Sequence, residues 1–330
     1  MTSFSRSLSL ILALTLGAHT LSAQATIAAR EVPGWLYPLE LAPTGATRPD
    51  SVTLLRLPHS TRAFTRAQVK DLFTAVDWYP ASHPAMPPVV ATGRRPEVYA
   101  CGYCHLPAGG GRPENASLAG MPADYIVRQV QAFKSGERRN AFKGPHAPFD
   151  YMTRVAKNAT DDEVARAAEY YATLSPRRRV RVVEMNRVPR TYVVGALHAV
   201  SPGKQREAIA GRIIEVPDNQ ERFALRDERS GFVAYVPPGS ISRGRAMSEQ
   251  GVGGAAPCET CHGESLRGGP IGPPIAGQFP SYVMRQLVAF RSGARAGSAA
   301  MPMQAMTAAL STDELVALSA YVGSLSPLRQ

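Results

Sequence analysis

Apolar positions recur with a helical period in two stretches set 157 residues apart (118 to 275). In "LAGMPADYIVRQVQAFKSGERR" at 118–139, Ile126, Val130 and Phe133 fall at i, i+4 and i+7. In "IAGQFPSYVMRQLVAFRSGARA" at 275–296, Val283, Leu287 and Phe290 do the same. One apolar stripe of this kind predicts an amphipathic helix with its stripe in a core, and Gly136 and Gly293 supply the stops. A second matched pair follows, "NATDDEVARAAEYYATLSP" and "ALSTDELVALSAYVGSLSP". Thr160 with Glu163, and Ser311 with Glu314, have the spacing of capping boxes, so each predicts a helix that ends before Pro176 or Pro327. The offset is now 151 (160 to 311), so the second copy is six residues shorter between its helices.

Outside the repeat the period changes. Residues 177–243 contain "VRVVEM", "TYVVGAL", "GRIIEV" and "GFVAYVPPGS", whose alternation and Gly/Pro turns predict a small sheet or hairpins. This insert is longer than an ordinary linker, and it is expected to fix domain orientation or meet a partner. Residues 26–92 are rich in Pro and Thr, with one helix predicted near 65–77. They are expected to wrap the first repeat or cover its edge. Residues 1–25 read as a cleaved secretory signal: Arg6, an apolar run from Leu8 to Ala18 too short to span a bilayer, and Ala23-Gln24-Ala25 as the cleavage site. The expected domains are therefore a signal at 1–25, an extension at 26–92, a first domain at 93–176, a β-rich insert at 177–243 and a second domain at 244–330.

Composition narrows the partners. The 330 residues are 44% hydrophobic and 19% charged, with a net charge of +11. A basic balance suits nucleic acid, an anionic membrane surface or an acidic protein. No nucleic-acid motif is present, and the one dense basic run, "RRRVR" at 177–181, reads as the solvated start of a strand. Nucleic acid is set aside, and redox protein partners with acidic docking patches are expected, with peripheral contact to membrane respiratory complexes.

The four cysteines form two C-x-x-C-H runs, CGYCH at 101–105 and CETCH at 258–262. Two thiols at this spacing can add to the two vinyl groups of one haem, and the adjacent histidine then sits under the iron. Zinc would need a second ligand pair near each run, and a thioredoxin-like dithiol would need a βαβ setting, whereas Gly/Pro-rich stretches flank both. Two runs with no cysteine left over point to two covalent c-type haems, held by Cys101, Cys104, Cys258 and Cys261 and ligated by His105 and His262. A thioether opposite the histidine favours Fe(II) and closes the iron. Met152 lies eight residues before Thr160, and Met303 eight before Ser311, each read as part of a loop before the last helix. That equivalence selects them from ten methionines, with Met301 and Met306 in reserve and His146 as the alternative ligand.

At this point the chain resembles the dihaem cytochrome c family of the c-four type, over roughly 93–176 and 244–330. The resemblance implies a mainly α fold, with two cytochrome c-type haem domains in tandem and haems close enough for internal electron transfer. In that family a proline carbonyl accepts the proximal histidine N–H. "GPPIAGQ" at 272–278 puts Pro273 there, but Ala116 stands in its place in the first half. The first motif also departs at Leu106, where Gly263 keeps the usual glycine. The function expected is a periplasmic electron carrier between a respiratory donor and an oxidase or other acceptor. The alternatives are a dihaem redox enzyme, peroxidase-like or thiosulfate dehydrogenase-like, and the haem subunit of a dehydrogenase complex.

Overall fold

The computed structural model describes residues 32–39, 48–252 and 254–328, so the signal segment read at 1–25 lies outside the described residues. The fold is mainly α, with its strands concentrated in the insert. Both predicted helix pairs form. The first is Ala123–Ser135 packed against Asp161–Thr173, and the second is Pro280–Arg291 packed against Thr312–Ser324. Gly136 adopts φ 80°, the left-handed cap that only glycine takes without a Cβ penalty. Both capping boxes close in both directions: Thr160 and Ser311 accept from the third backbone N–H, and Glu163 and Glu314 reach back.

The two repeats bury themselves differently. In the second, an eleven-residue helix, Ser240–Gln250, lies along Thr312–Ser324, close enough that a Cβ on Gly244 would strike the Ala317 carbonyl. In the first, the helix in the corresponding stretch is a single turn, Pro88–Ala91. The extension supplies the missing cover. Leu57, Phe64, Val69, Val76, Trp78 and Tyr79 form a core with Leu225 of the insert, and Trp78 donates its indole N–H to the Leu225 carbonyl at 2.8 Å. The helix predicted near 65–77 is only the turn Arg66–Val69. Asp71 accepts from the Phe73 N–H and the Thr74 hydroxyl, a local turn that competes with continuing the helix. The extension also reaches further than expected. Leu36 and Tyr37 pack into the core of the second repeat, and Arg285 donates to the Leu36 carbonyl.

The predicted strands of the insert are present, but not as hairpins alone. Thr191–Val194 and Leu197–Val200 form one hairpin. The main sheet is mixed: Val180–Glu184 runs parallel to Phe232–Val236, and Ile214–Pro217 lies antiparallel on the far side of the latter. Alternation marks strands but not their partners, so the parallel pairing was invisible in the pattern. In "RRRVR", Arg177 and Arg178 are exposed, whereas Arg179 is buried and donates to the carbonyls of Ser230 and Gly111.

Candidate functional site

Each Cys-x-x-Cys-His run folds as a short helical turn, Cys101–His105 and, after Cys258, Glu259–His262. His105 donates its Nδ1–H to the Ala116 carbonyl at 2.9 Å, and His262 does the same to Pro273 at 2.9 Å. A carbonyl can only accept, so the tautomer is fixed and Nε2 keeps its lone pair in both rings. Because the acceptor is backbone, Ala116 serves as well as proline.

Both motifs open on one continuous cavity of about 1160 Å³, lined mostly by apolar side chains. That exceeds the ~300–1,000 Å³ of an ordinary small-molecule pocket and extends across both halves. Cys101, Cys104, Cys258 and Cys261 line it with both histidines. Burial pushes the Cys101 thiol up to about 12, with Cys104 adding to the effect, and burial also raises Cys104 and Cys258. A redox dithiol needs the opposite shift. All four thiols are free, and none of the described residues group as a metal-binding His/Cys/Asp/Glu cluster. A large flat apolar group attached through the thiols fits this cavity.

The structure brings Met152 and Met303 to the same cavity. Neither is in a loop. Met152 lies within the helix Ala147–Asn158 and Met303 within Met301–Thr307. Pro148 and Pro302 sit in the first turns, a start signal that the sequence reading passed over. Met306 also lines the cavity, whereas Met301 is 62% exposed and does not. His146 is buried against Tyr37 and lines the cavity with Nδ1 unpartnered. Burial, then the Arg285 charge, pushes its pKa down to about 3, so the ring is neutral.

Where the halves meet, an arrangement appears that sequence reasoning missed. Arg138 donates to Gln129 at 3.0 Å in its own half, and to Gln286 at 2.7 Å and Tyr282 at 3.2 Å in the other. Arg295 mirrors it, donating to Gln286 at 3.2 Å, Gln129 at 2.6 Å and Tyr125 at 2.9 Å. Each guanidinium lies over the phenylalanine of the helix that precedes it, Phe133 or Phe290. A short antiparallel bridge joins the backbones at Arg138 and Arg295. Among the described residues no carboxylate pairs with either. Burial lowers the Arg138 pKa, and Arg295 lowers it further. For Tyr125, burial raises the pKa but Arg295 and Arg138 outweigh it, leaving the phenol lowered. The central cavity wall is thus cationic and uncompensated. The signal was available in the matched "RQ" and in Arg138 and Arg295 themselves, which share the 157-residue offset.

Two helical repeats, each with a thiol pair and a pinned histidine facing a shared apolar cavity, define a tandem c-type haem protein. A cytochrome c family model matches residues 250–326. The cytochrome subunit of sulfide dehydrogenase from Chlorobaculum tepidum is 30% identical over 29% of this chain and 79% of its own. The chain therefore belongs to the cytochrome c family. Over both repeats it is similar to cytochrome c4 of Azotobacter vinelandii, 25% identical across 68% of this chain and 84% of that one. It is also similar to a thiosulfate dehydrogenase electron acceptor from Thiomonas intermedia, 28% identical across 66% and 71%. The chain is a dihaem electron-transfer cytochrome carrying two covalent c-type haems. No helix among the described residues is long and apolar enough to cross a membrane.

Proposed function

We propose that the protein is a periplasmic carrier of single electrons between a respiratory donor and an oxidase or other acceptor, with both irons closed by His/Met pairs. The observation that carries this reading is the repeat of the site in one cavity, lined by Met152 and Met303, each eight residues before its capping residue in the sequence. When bound, haem supplies an iron that cycles between Fe(III) and Fe(II). The residues do the rest. Cys101 and Cys104, and Cys258 and Cys261, would hold the two rings through thioethers. His105 and His262 present Nε2 with orientation fixed by the Ala116 and Pro273 carbonyls, which also raises ligand basicity. Met152 and Met303 would hold the irons through their thioethers. Arg138 and Arg295 supply half-buried positive charge that suits the two carboxylates each haem carries. Docking patches on the partners would be acidic, matching the net charge of +11.

One observation favours a second reading. His146, buried and unpartnered on the cavity wall, is a nitrogen that could replace a thioether, as an enzyme with an exchangeable ligand requires. A redox titration followed by ligand-sensitive spectroscopy tests both. Two low-spin haems with thioether signatures and reversible one-electron steps support the carrier. A high-spin or bis-nitrogen haem in the resting protein would sink it, and turnover with peroxide or thiosulfate would establish the enzyme.

A further inference from the structure

The residues between the cysteines of the two motifs are treated in opposite ways. At the first motif Gly102 and Tyr103 are buried. A Cβ on Gly102 would lie 2.8 Å from the Ala75 Cβ and 2.8 Å from the Val90 carbonyl. The Ala100 N–H is bonded to the Leu72 carbonyl at 3.0 Å. From the insert, Arg226 lies 3.4 Å from the centre of the Tyr103 ring and donates to the Tyr103 carbonyl at 2.7 Å, and Glu228 accepts the Ala108 N–H at 3.0 Å. Extension and insert together seal this face. At the second motif the equivalent residues, Glu259 and Thr260, are exposed, and nothing from extension or insert reaches them through a hydrogen bond or ring contact among the described residues.

The cavity mouths differ too. Beside the second motif, Ala256, Pro257, Ile271 and Pro302 line the cavity and are exposed, with Ile271 at 71%. Met301, next to Pro302, is 62% exposed. This rim holds no lysine or arginine, in a chain with 37 of them. At the first site the exposed lining residues include Arg128 and Gln131, with Tyr151 at 38%, while Glu137 lies against Gly297 of the second half. Exposed apolar residues gathered at one place mark an interaction site, and charge depletion with methionine is the composition of an interface core. The rim is a handful of side chains, far short of what a stable dimer buries and suited to a weak redox encounter, for which less than about 1,200 Å² is usual.

We propose that electrons enter and leave through the 258–262 site alone. There a redox protein sets its own prosthetic group against the uncharged rim of Ala256, Pro257, Ile271, Met301 and Pro302, and the 101–105 site exchanges electrons only across the shared cavity. This rests on the carrier reading above.

The test uses the full dihaem chain in stopped flow, with a reduced soluble blue-copper protein as macromolecular donor and hexaammineruthenium(II) as small donor. Ile271→Glu and Met301→Glu are expected to slow reduction by the copper protein at least tenfold and to change reduction by the ruthenium complex less than threefold. Tyr151→Glu at the first mouth is expected to change neither. Rim variants that leave the copper-protein rate intact, or a tenfold loss in Tyr151→Glu, would overturn the proposal. So would loss of self-association, or of binding to vesicles of equal parts phosphatidylglycerol and phosphatidylcholine, as the only effect of the rim changes. Loss of reversible reduction in the parent protein would instead remove the carrier reading beneath it.

Discussion

The two halves share a plan and differ in what covers it. The second repeat closes its core with its own helix, Ser240–Gln250, and leaves its motif open. The first has one turn in that stretch and borrows its cover from the extension and insert. Duplication therefore kept the chemistry and let the surroundings diverge, and the divergence falls on how each site meets solvent.

The largest expected effect separates the halves outright. Cys101→Ala with Cys104→Ala should leave one covalent haem in denatured protein by absorbance and mass, and Cys258→Ala with Cys261→Ala should leave the other. Next comes a reciprocal exchange. Gly102→Glu forces a carboxylate into Ala75 and the Val90 carbonyl. Overpacking and an unpaired buried charge should together cost more than about 3 kcal/mol in denaturant titration. Glu259→Gly, on the open side, should cost about 1 kcal/mol, for backbone entropy and the lost bond to the Ser265 N–H. Equal costs would mean that both motifs are equally covered. Met152→Ala and Met303→Ala should each abolish the thioether signature at a single haem, and an unchanged spectrum would move the ligand to Met306 or His146.

Leu106 sharpens the contrast further. It holds φ 66° and ψ 155°, a region nearly reserved for glycine, where Gly263 holds φ 74° and ψ 174° in the second half. Its side chain is 1% exposed, so packing offsets the strain of about 1–3 kcal/mol. Leu106→Gly should therefore be more stable than Leu106→Ala, reversing the usual order, because alanine loses the packing and keeps the strain.

A further effect is one of pH. Glu215 of the insert accepts from the Ser281 N–H and hydroxyl at the start of Pro280–Arg291, and its second oxygen is unpartnered. Burial raises its pKa from 4.5 to about 7, against the lowering pull of Ser281 and Arg285. Between those values the folded chain holds a proton that the unfolded chain has released, so stability falls as pH rises from 4.5 to about 7. His146 acts the other way: its folded pKa of about 3 lies below the ordinary 6.5, so stability rises with pH across that interval. Glu215→Gln should remove the falling contribution, so the slope of melting temperature against pH should become more positive over 4.5–7.

What could be read in the sequence was local or repeated. The helix pairs, their capping boxes and the Cys-x-x-Cys-His runs each occupy a few residues whose spacing states their geometry. Three features were not legible, for a common reason. The parallel pairing of Val180–Glu184 with Phe232–Val236 joins segments about 50 residues apart. Leu36 reaches Arg285, and Trp78 reaches Leu225. Each is set by tertiary packing, which leaves no period behind. The helix around Met152 was a different miss, because Pro148 marked its start in plain view.

The parallel pair in the insert has one more consequence. Val180–Glu184 comes directly after the first repeat and Phe232–Val236 directly before the second, side by side in register. The 47 residues between them leave the sheet and return to it, and Pro202 to Gln205 form an exposed segment with no part in any core. A chain broken at that segment would be two pieces, each keeping one haem motif and one edge of the strand pair. The arginine–glutamine bridge would give them a second seam. Assembly of the whole from two separately made fragments is thus written into the path of the backbone.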